Sequence, residues 1–239
     1  MKNGSKIGGV LIGAAIMTPL VAPSRRLPAQ PLQFTDTFAT QNSDFSSSGS
    51  NPFFILQPGY EQTYEGVEDD EKVHLTITVT HQTKRVNGVE TRVVVERETH
   101  DGKLVEVSQN YFVISRRDNS VFYFGEHVDN YSQGKITNHG GSWLAGVWGA
   151  RPGLMMPGIA LLGARYFQEV APGAAMDRAE ILSLSETLKT PAGEFKRCLK
   201  TQETSPLEPG SKEYKLYAPG VGLIKAGALK LMKVSGPRQ

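Results

Sequence analysis

Apolar and polar residues alternate with a period of two over much of the chain, which is the pattern of half-buried β-strands. The clearest run is 73–79, in which valine, leucine and isoleucine alternate with histidine and threonine. Pairs of residues that favour tight turns follow, and the strands predicted between them are about a dozen residues long. We therefore predict a meander of four long antiparallel strands over 73–131. The turn pairs are Asn87-Gly88, Asp101-Gly102 and Asp118-Asn119.

The second half of the chain continues in the same way. Further strands are predicted at 164–170, 178–188, 195–203, 213–217 and 221–225, and the pattern predicts no helix. About ten strands result, several of them longer than the usual five or six residues, which favours strong curvature. We expect an all-β fold built as an antiparallel curved sheet, either barrel-like or a half-barrel. Two turn motifs separate these strands, Thr190-Pro191-Ala192-Gly193 and Ala218-Pro219-Gly220-Val221.

A long segment rich in Gly, Trp and Met, residues 134–163, interrupts the strand pattern. A loop of this length within a domain is usually functional or mobile. One interpretation is that its large apolar side chains line a ligand cavity at the mouth of the curved sheet. The alternative is that the loop plugs the open end. The candidate ligand-binding residues are Trp143, Trp148, Met155 and Met156.

The N-terminus has the pattern of a secretory signal peptide. Lys2 and Lys6 precede an uncharged stretch, residues 7–23, which is too short and too rich in Gly to span a bilayer as a helix. We assign 1–29 to the signal, with cleavage after Ala29 or, alternatively, after Ala22; an uncleaved interfacial anchor is the other interpretation. The expected location is outside the cytoplasm, periplasmic or extracellular, with no transmembrane span after cleavage.

The composition of the rest of the chain indicates how it is divided and which partners it favours. Residues 30–50 are rich in Ser and predict a flexible tether, and 51–239 predict a single β domain. Removing 1–29 takes away four basic residues and no acidic one, which leaves 22 Lys and Arg against 24 Asp and Glu. This balance argues against a nucleic-acid partner.

The residues that could carry catalysis form no recognisable site. His127 and His139 have eleven residues between them, which matches no compact metal signature, so we interpret them as surface histidines and assign no metal or cofactor. The run Asn138–Ser142 contains His-Gly-Gly but lacks the G-x-S-x-G elbow that such an element needs. The sequence therefore predicts a protein that is not an enzyme.

The single cysteine excludes disulfide frameworks and multi-cysteine metal sites. Lys196 and Lys200 share the predicted strand face of Cys198, and neighbouring cations lower a thiol pKa and raise its reactivity. A buried and inert Cys198 is the alternative.

Three motifs resemble those of exported bacterial β-sheet proteins of uncharacterised function. They are Asn51-Pro52-Phe53-Phe54 with Pro58-Gly59-Tyr60, then Thr190–Phe195, then Tyr217–Leu223. The resemblance covers most of 51–225 and is similar, more loosely, to periplasmic lipoprotein-carrier half-barrels. It implies an antiparallel barrel-like sheet outside the cytoplasm and no catalytic residues.

The working hypothesis for function is a non-enzymatic binding module for an apolar small molecule or lipid. The alternative is a structural or interaction protein of the cell envelope, and a metal-dependent hydrolase is third. A carrier should enclose a cavity, whereas an interaction module should have a filled barrel and an exposed apolar patch.

Overall fold

The computed structural model describes residues 33–237. The predicted signal peptide, 1–29, lies outside the described residues. A single 3₁₀ turn, Asn42–Asp44, is the only helical element in the described part of the chain. Residues 33–237 therefore contain no helix that is long and apolar enough to cross a membrane. The strands are β1 (Phe45–Ser46), β2 (Gly49–Asn51), β3 (Phe54–Leu56), β4 (Glu61–Glu68), β5 (Glu71–Val86), β6 (Val89–His100), β7 (Lys103–Ser115), β8 (Val121–Ser132), β9 (Lys135–Asn138), β10 (Trp143–Leu144), β11 (Arg151–Met156), β12 (Arg165–Phe167), β13 (Glu169–Val170), β14 (Arg178–Thr190), β15 (Gly193–Ser205), β16 (Glu208–Ala218), β17 (Gly222–Ala226) and β18 (Leu229–Ser235).

These strands form one large antiparallel sheet that is nearly closed into a barrel, which confirms the predicted fold class. Its order is β12-β14-β15-β16-β17-β18-β4-β5-β6-β7-β8-β11-β13. The two ends of this order are β12 and β13, which are consecutive in the chain, and β11 also lies beside β12. The two ends of the sheet therefore approach each other where β11, β12 and β13 meet. The hairpin of β2 and β3 forms a separate small sheet.

The predicted hairpin turns are present in the meander. Asn87 and Gly88 have φ values of 46° and 79°, and Asp101 and Gly102 have 47° and 76°. Two successive positive φ values are those of the type I′ turn, whose twist matches that of the flanking strands. The same geometry joins β4 to β5 at Asp69-Asp70, a turn that the sequence interpretation did not include.

The segment 134–163 contains three short strands, so it is less of a loop than the sequence predicts. β9, β10 and β11 all pair with β8, and β11 pairs also with β13. Gly153 makes this possible, because a Cβ atom at this position would lie 2.1 Å from the carbonyl oxygen of Gln168. At this position Gly is required by close packing of backbones and not by a loop.

Part of the segment predicted as a tether lies against the barrel. β1 pairs with the end of β7. The ring of Phe45 lies 5.4 Å from those of Phe122 and Phe124, in edge-on contacts, and Phe45 is buried. Phe38 contacts Phe122 in the same way. Burial of these aromatic rings fixes residues 38–45 on the domain although their neighbours are mostly polar.

Candidate functional site

The interior of the barrel holds two adjoining cavities of about 300 and 190 Å³, which we call together the lumen. Four side chains border both cavities: Glu96, Phe112, Met155 and Lys215. The larger cavity by itself has the volume of the smallest small-molecule sites, which range from roughly 300 to 1,000 Å³. The lumen is therefore the candidate functional site.

One part of the lumen is apolar. The hairpin of β2 and β3 contributes Phe53 and Phe54, and the ring of Phe54 lies 5.1 Å from that of Phe112 on β7. Leu75, Ile77 and Val79 project into the same space from β5, since alternate residues of a strand share a face. The apolar face that the sequence predicts for β5 is thus the face that lines the lumen.

The other part of the lumen is acidic, and the same alternation places three of its carboxylates. Glu96 and Glu98 follow Val94 at alternate positions on β6, and Glu106 precedes Ser108 and Asn110 at alternate positions on β7. The wall is completed by carboxylates from six other segments. The acidic side chains that border the lumen are Glu68, Glu96, Glu98, Glu106, Glu126, Glu169, Asp177, Glu203 and Glu213.

Glu126 reaches the lumen because β8 contains a bulge. Phe112 pairs with Tyr123, and Asn110 with Glu126, so two residues of β8 oppose one residue of β7. Gly125 occupies the bulge with a φ of 131°, and a Cβ atom there would lie 2.4 Å from the carbonyl oxygen of Trp143. Without the extra residue, Glu126 would lie on the opposite face from Tyr123.

Lys215 is the only basic side chain that borders the lumen in the described part of the chain. Its Nζ atom lies 2.7 Å from Oε2 of Glu203 and 3.6 Å from Oε2 of Glu213. The other carboxylate oxygen of Glu203, Oε1, accepts hydrogen bonds from three side chains, each at 3.3 Å: Gln168, Thr201 and Tyr217. Glu203 is therefore fully partnered although its side chain is only 7% exposed.

Three other lumen carboxylates have no cation close enough to form an ion pair. Glu96, Glu126 and Glu169 form no ion pair within 4 Å in residues 33–237. Burial raises the pKa of Glu96 to about 7, with Lys215 opposing the change. Burial and the nearby charge of Glu96 raise the pKa of Glu126 to about 7 as well. Burial, and to a smaller extent the charge of Glu126, raise the pKa of Glu169 well above its usual range.

The carboxylates therefore form one electrostatically coupled group. Burial raises the pKa of Glu106, Asp177 and Glu213 as well. For Lys215 burial alone would lower the pKa, but the surrounding acidic groups, Glu203 first, raise it well above its usual range. A cationic or hydrogen-bond-donating group in this part of the lumen would lower the cost of ionising the carboxylates. The geometry thus favours a ligand with such a group at one end.

The four residues predicted to bind a ligand lie in three different environments. Trp143 and Trp148 border another cavity of about 270 Å³, the loop cavity, which meets the lumen at Glu126. Trp143 is buried, whereas Trp148 is 97% exposed. Met155 borders the lumen, and Met156 is fully buried in the core.

The histidines of the sequence analysis are brought together. The rings of His127 and His139 lie 5.0 Å apart. One carboxylate oxygen of Asp129 faces a nitrogen atom of each ring. The hairpin of β8 and β9 causes this approach, because it returns the chain beside β8 at the right register.

His100 lies elsewhere, with its two ring nitrogens 2.9 Å from Glu71 and 2.7 Å from Glu98. Hydrogen bonds to these carboxylates, Glu98 first, raise the pKa of His100.

Cys198 is fully buried, as in the second of the two interpretations. Burial raises the pKa of its thiol, and the neighbouring charge of Glu186 raises it further. The lowering by Lys196 and Lys200 that the strand pattern suggested does not occur. Arg197, between them, has a φ of 54°, and the pairing of β14 with β15 is irregular here, so simple alternation does not hold.

The sequence interpretation missed the acidic wall of the lumen. A signal for it exists in β6 and β7, where Glu96, Glu98 and Glu106 occupy the positions that should face a core. Comparison of the chain with protein-family models, with curated proteins and with solved structures finds no match.

Proposed function

We propose that this chain is a non-enzymatic binding protein that holds a small amphipathic molecule in the lumen of its barrel. The observation that carries the proposal is the lumen itself, which is apolar at one part of its wall and acidic at another. The proposal keeps the predicted class, a binding module for an apolar molecule or lipid, and moves the site from the loop to the lumen.

The apolar body of the ligand would lie between the β3 segment and β5. Phe53, Phe54 and Ile77 supply aromatic and aliphatic surface there, and burial of ligand surface against them is the main favourable term, about 25 cal/mol per Å². Met155, at the junction of the two cavities, adds a flexible side chain that accommodates ligands of different shape.

The other end of the ligand would carry a positive charge or hydrogen-bond donors. Glu96, Glu126 and Glu169 offer acceptor oxygens without cations of their own, and a ligand cation would compensate charges that Lys215 alone does not balance. An anionic end would be repelled. This preference distinguishes the proposed ligand from a fatty acid.

The alternative function, an envelope interaction protein, predicts a filled barrel and an exposed apolar patch. The described residues do include exposed apolar side chains on one loop, Ile159, Leu161 and Leu162, each more than 60% exposed. The barrel, however, is not filled, and this observation favours the binding protein. We propose that it acts in the periplasmic or extracellular compartment that the N-terminal sequence predicts.

The test begins with native mass spectrometry of the purified chain, compared with the denatured chain, to detect a retained small molecule. Binding of the fluorescent probe N-phenyl-1-naphthylamine is then measured at pH 7.5, with displacement by decylamine, decanol and decanoate. We expect decylamine to compete best and decanoate worst. Equal competition by all three would contradict the proposed acidic end of the site.

Matched variants locate the binding site. Ile77→Trp fills the lumen and should weaken probe binding at least tenfold, whereas Thr76→Trp places the same side chain on the opposite face of β5 and should not. Trp148→Ala alters only the loop cavity. Loss of binding in Trp148→Ala with retention in Ile77→Trp would move the site to the loop cavity and overturn the lumen proposal. A bare chain that binds no probe would leave the interaction protein as the better hypothesis.

A further inference from the structure

A cluster of three side chains that offer metal ligands lies on β8 and the loop after β9. His127 and Asp129 are two residues apart on β8 and therefore lie on one face of the strand. His139 follows β9, which pairs antiparallel with β8 and returns the chain to the same place. One ligand atom from each of the three residues lies within 4.8 Å of the other two.

The distances within this cluster match those between ligands of one ion. Oδ1 of Asp129 lies 3.3 Å from Nε2 of His127 and 2.9 Å from Nδ1 of His139. Tetrahedral zinc with bonds of 2.0–2.1 Å to nitrogen and oxygen has ligand atoms about 3.3 Å apart. Oδ1 of Asp129 is buried and accepts no hydrogen bond of good geometry. A buried carboxylate oxygen that faces two imidazole nitrogens is a strong site for a cation.

The backbone around His139 is held in place by hydrogen bonds to β8. The side chain of Asn130 donates to Oδ1 of Asn138 at 3.0 Å and to the carbonyl oxygen of Gly140 at 3.3 Å. On the other side, the hydroxyl of Ser142 accepts a hydrogen bond from the backbone amide of Val128 at 2.8 Å. The loop is thereby fixed before and after His139, which reduces the cost of ordering the site when an ion binds.

The histidine side chains can still adjust. Those of His127 and His139 are 44% and 55% exposed, and that of Asp129 is 19% exposed. Nδ1 of His139 also lies 2.9 Å from the carbonyl oxygen of Val128. Nδ1 is also the atom that faces Asp129, so an ion bound to it would replace the contact with Val128.

We propose that His127, Asp129 and His139 bind a divalent transition-metal ion, with Zn²⁺ as the best match. Two imidazoles and one carboxylate are typical zinc ligands and a poor set for Ca²⁺ or Mg²⁺, which prefer oxygen. Three protein ligands leave the fourth position open to solvent or to a ligand group. His127 also borders the loop cavity, so the ion would lie beside that cavity.

The test uses the untagged full-length chain, treated with EDTA and then dialysed against Zn²⁺ or Ca²⁺, with the bound metal quantified by mass spectrometry. We expect one equivalent of Zn²⁺ and no Ca²⁺. His139→Ala and Asp129→Asn should each weaken Zn²⁺ binding at least tenfold. The control variants His74→Ala and His100→Ala remove histidines outside the cluster and should keep the parent affinity.

A spectroscopic measurement separates ligation from a merely structural effect of these variants. Co²⁺ bound to the parent chain should show the intense visible absorption of a four-coordinate site, and His139→Ala should lose it while keeping its far-ultraviolet circular dichroism. Absence of saturable Zn²⁺ binding, or equal binding by His139→Ala and His74→Ala, would overturn the proposal. Ile77→Trp should bind Zn²⁺ normally, because this site is independent of the proposed lumen function.

Discussion

Nζ of Lys215 lies 2.7 Å from Oε2 of Glu203 inside the barrel, where Lys215 is the only basic side chain among the described residues that border the lumen. The pair joins two neighbouring strands, β15 and β16, and Glu203 also accepts hydrogen bonds from Gln168 and Tyr217. The structure of the acidic wall thus depends on one cation.

Replacing Lys215 by Met should strongly destabilise the fold at pH 7. Glu203 would remain buried without its cation, and loss of one partner of a buried pair costs about 3–5 kcal/mol. The double variant Lys215→Met/Glu203→Gln should recover at least half of this loss, because residue 203 then carries no buried unpaired charge. Urea unfolding measures the free energies. Lys230→Met, at an exposed position, should stay within about 0.5 kcal/mol of the parent. An equal loss of stability in Lys215→Met and Lys230→Met would contradict the role of the pair.

Glu96 should make stability depend on pH. Its pKa is about 7 in the folded chain and 4.5 in the unfolded reference, so folding is unaffected below pH 4.5 and weakened as the pH rises through 7. At pH 8 the Glu96→Gln variant should therefore be more stable than the parent by roughly 2–3 kcal/mol. At pH 4 the two should be equal.

Thermal unfolding at both pH values measures this difference. Glu65→Gln, on the exposed side of β4, is the matched control and should have the same effect at pH 4 and pH 8. A stabilisation by Glu96→Gln that is as large at pH 4 as at pH 8 would show that the effect comes from packing and not from the charge of Glu96.

The sequence predicts those parts of this fold that depend on local patterns. Alternation and the turn pair Asn87-Gly88 are local, so the long strands and their hairpins could be predicted. Inward-facing glutamates on β6 and β7 could also be recognised, but their convergence with the other carboxylates could not, because it depends on which strands become neighbours. Glu203 and Lys215 meet through the register of β15 with β16, and Glu126 faces inward because of the bulge at Gly125. Neither feature follows from periodicity.

The histidine cluster illustrates the same limit. The hairpin of β8 and β9 brings His127 near His139, but their spacing in the sequence gives no ligand distance. The register of β8 with β9, in which Asn130 pairs with Asn138, places His139 beside Asp129. A three-residue site therefore forms from residues whose spacing matches no standard motif.

Cys198 should be unreactive in the folded chain. Its side chain is fully buried, and burial raises the pKa of the thiol, so both access and the thiolate fraction are low. Labelling with 5,5′-dithiobis(2-nitrobenzoic acid) at pH 8 should be negligible in the native state and should reach one equivalent in guanidinium chloride. Rapid native labelling that is lost in Cys198→Ala would contradict this assignment.

Gly153 should be essential for completing the barrel. A Cβ atom at this position would lie 2.1 Å from the carbonyl oxygen of Gln168, a backbone atom that cannot move without separating β11 from β13. Gly153→Ala should therefore cost at least about 2 kcal/mol. Gly173→Ala is the matched control, since Gly173 has a φ of 78° but no atom within 4 Å of its Cβ position, so it should cost only the strain of a left-handed residue, about 1–2 kcal/mol.

Hydrogen exchange separates the two glycine variants by location. In Gly153→Ala the amides of Gln168 and Glu169, which both donate to the carbonyl oxygen of Asp177, should lose protection, because displacement of Gln168 disturbs these bonds. In Gly173→Ala the same two amides should keep it, since the strain lies at the turn before Ala175. If Gly153→Ala left Gln168 and Glu169 as protected as in the parent, the β11–β13 contact would not be what closes the ring, and the barrel would have to be held there by β12 with β14 alone.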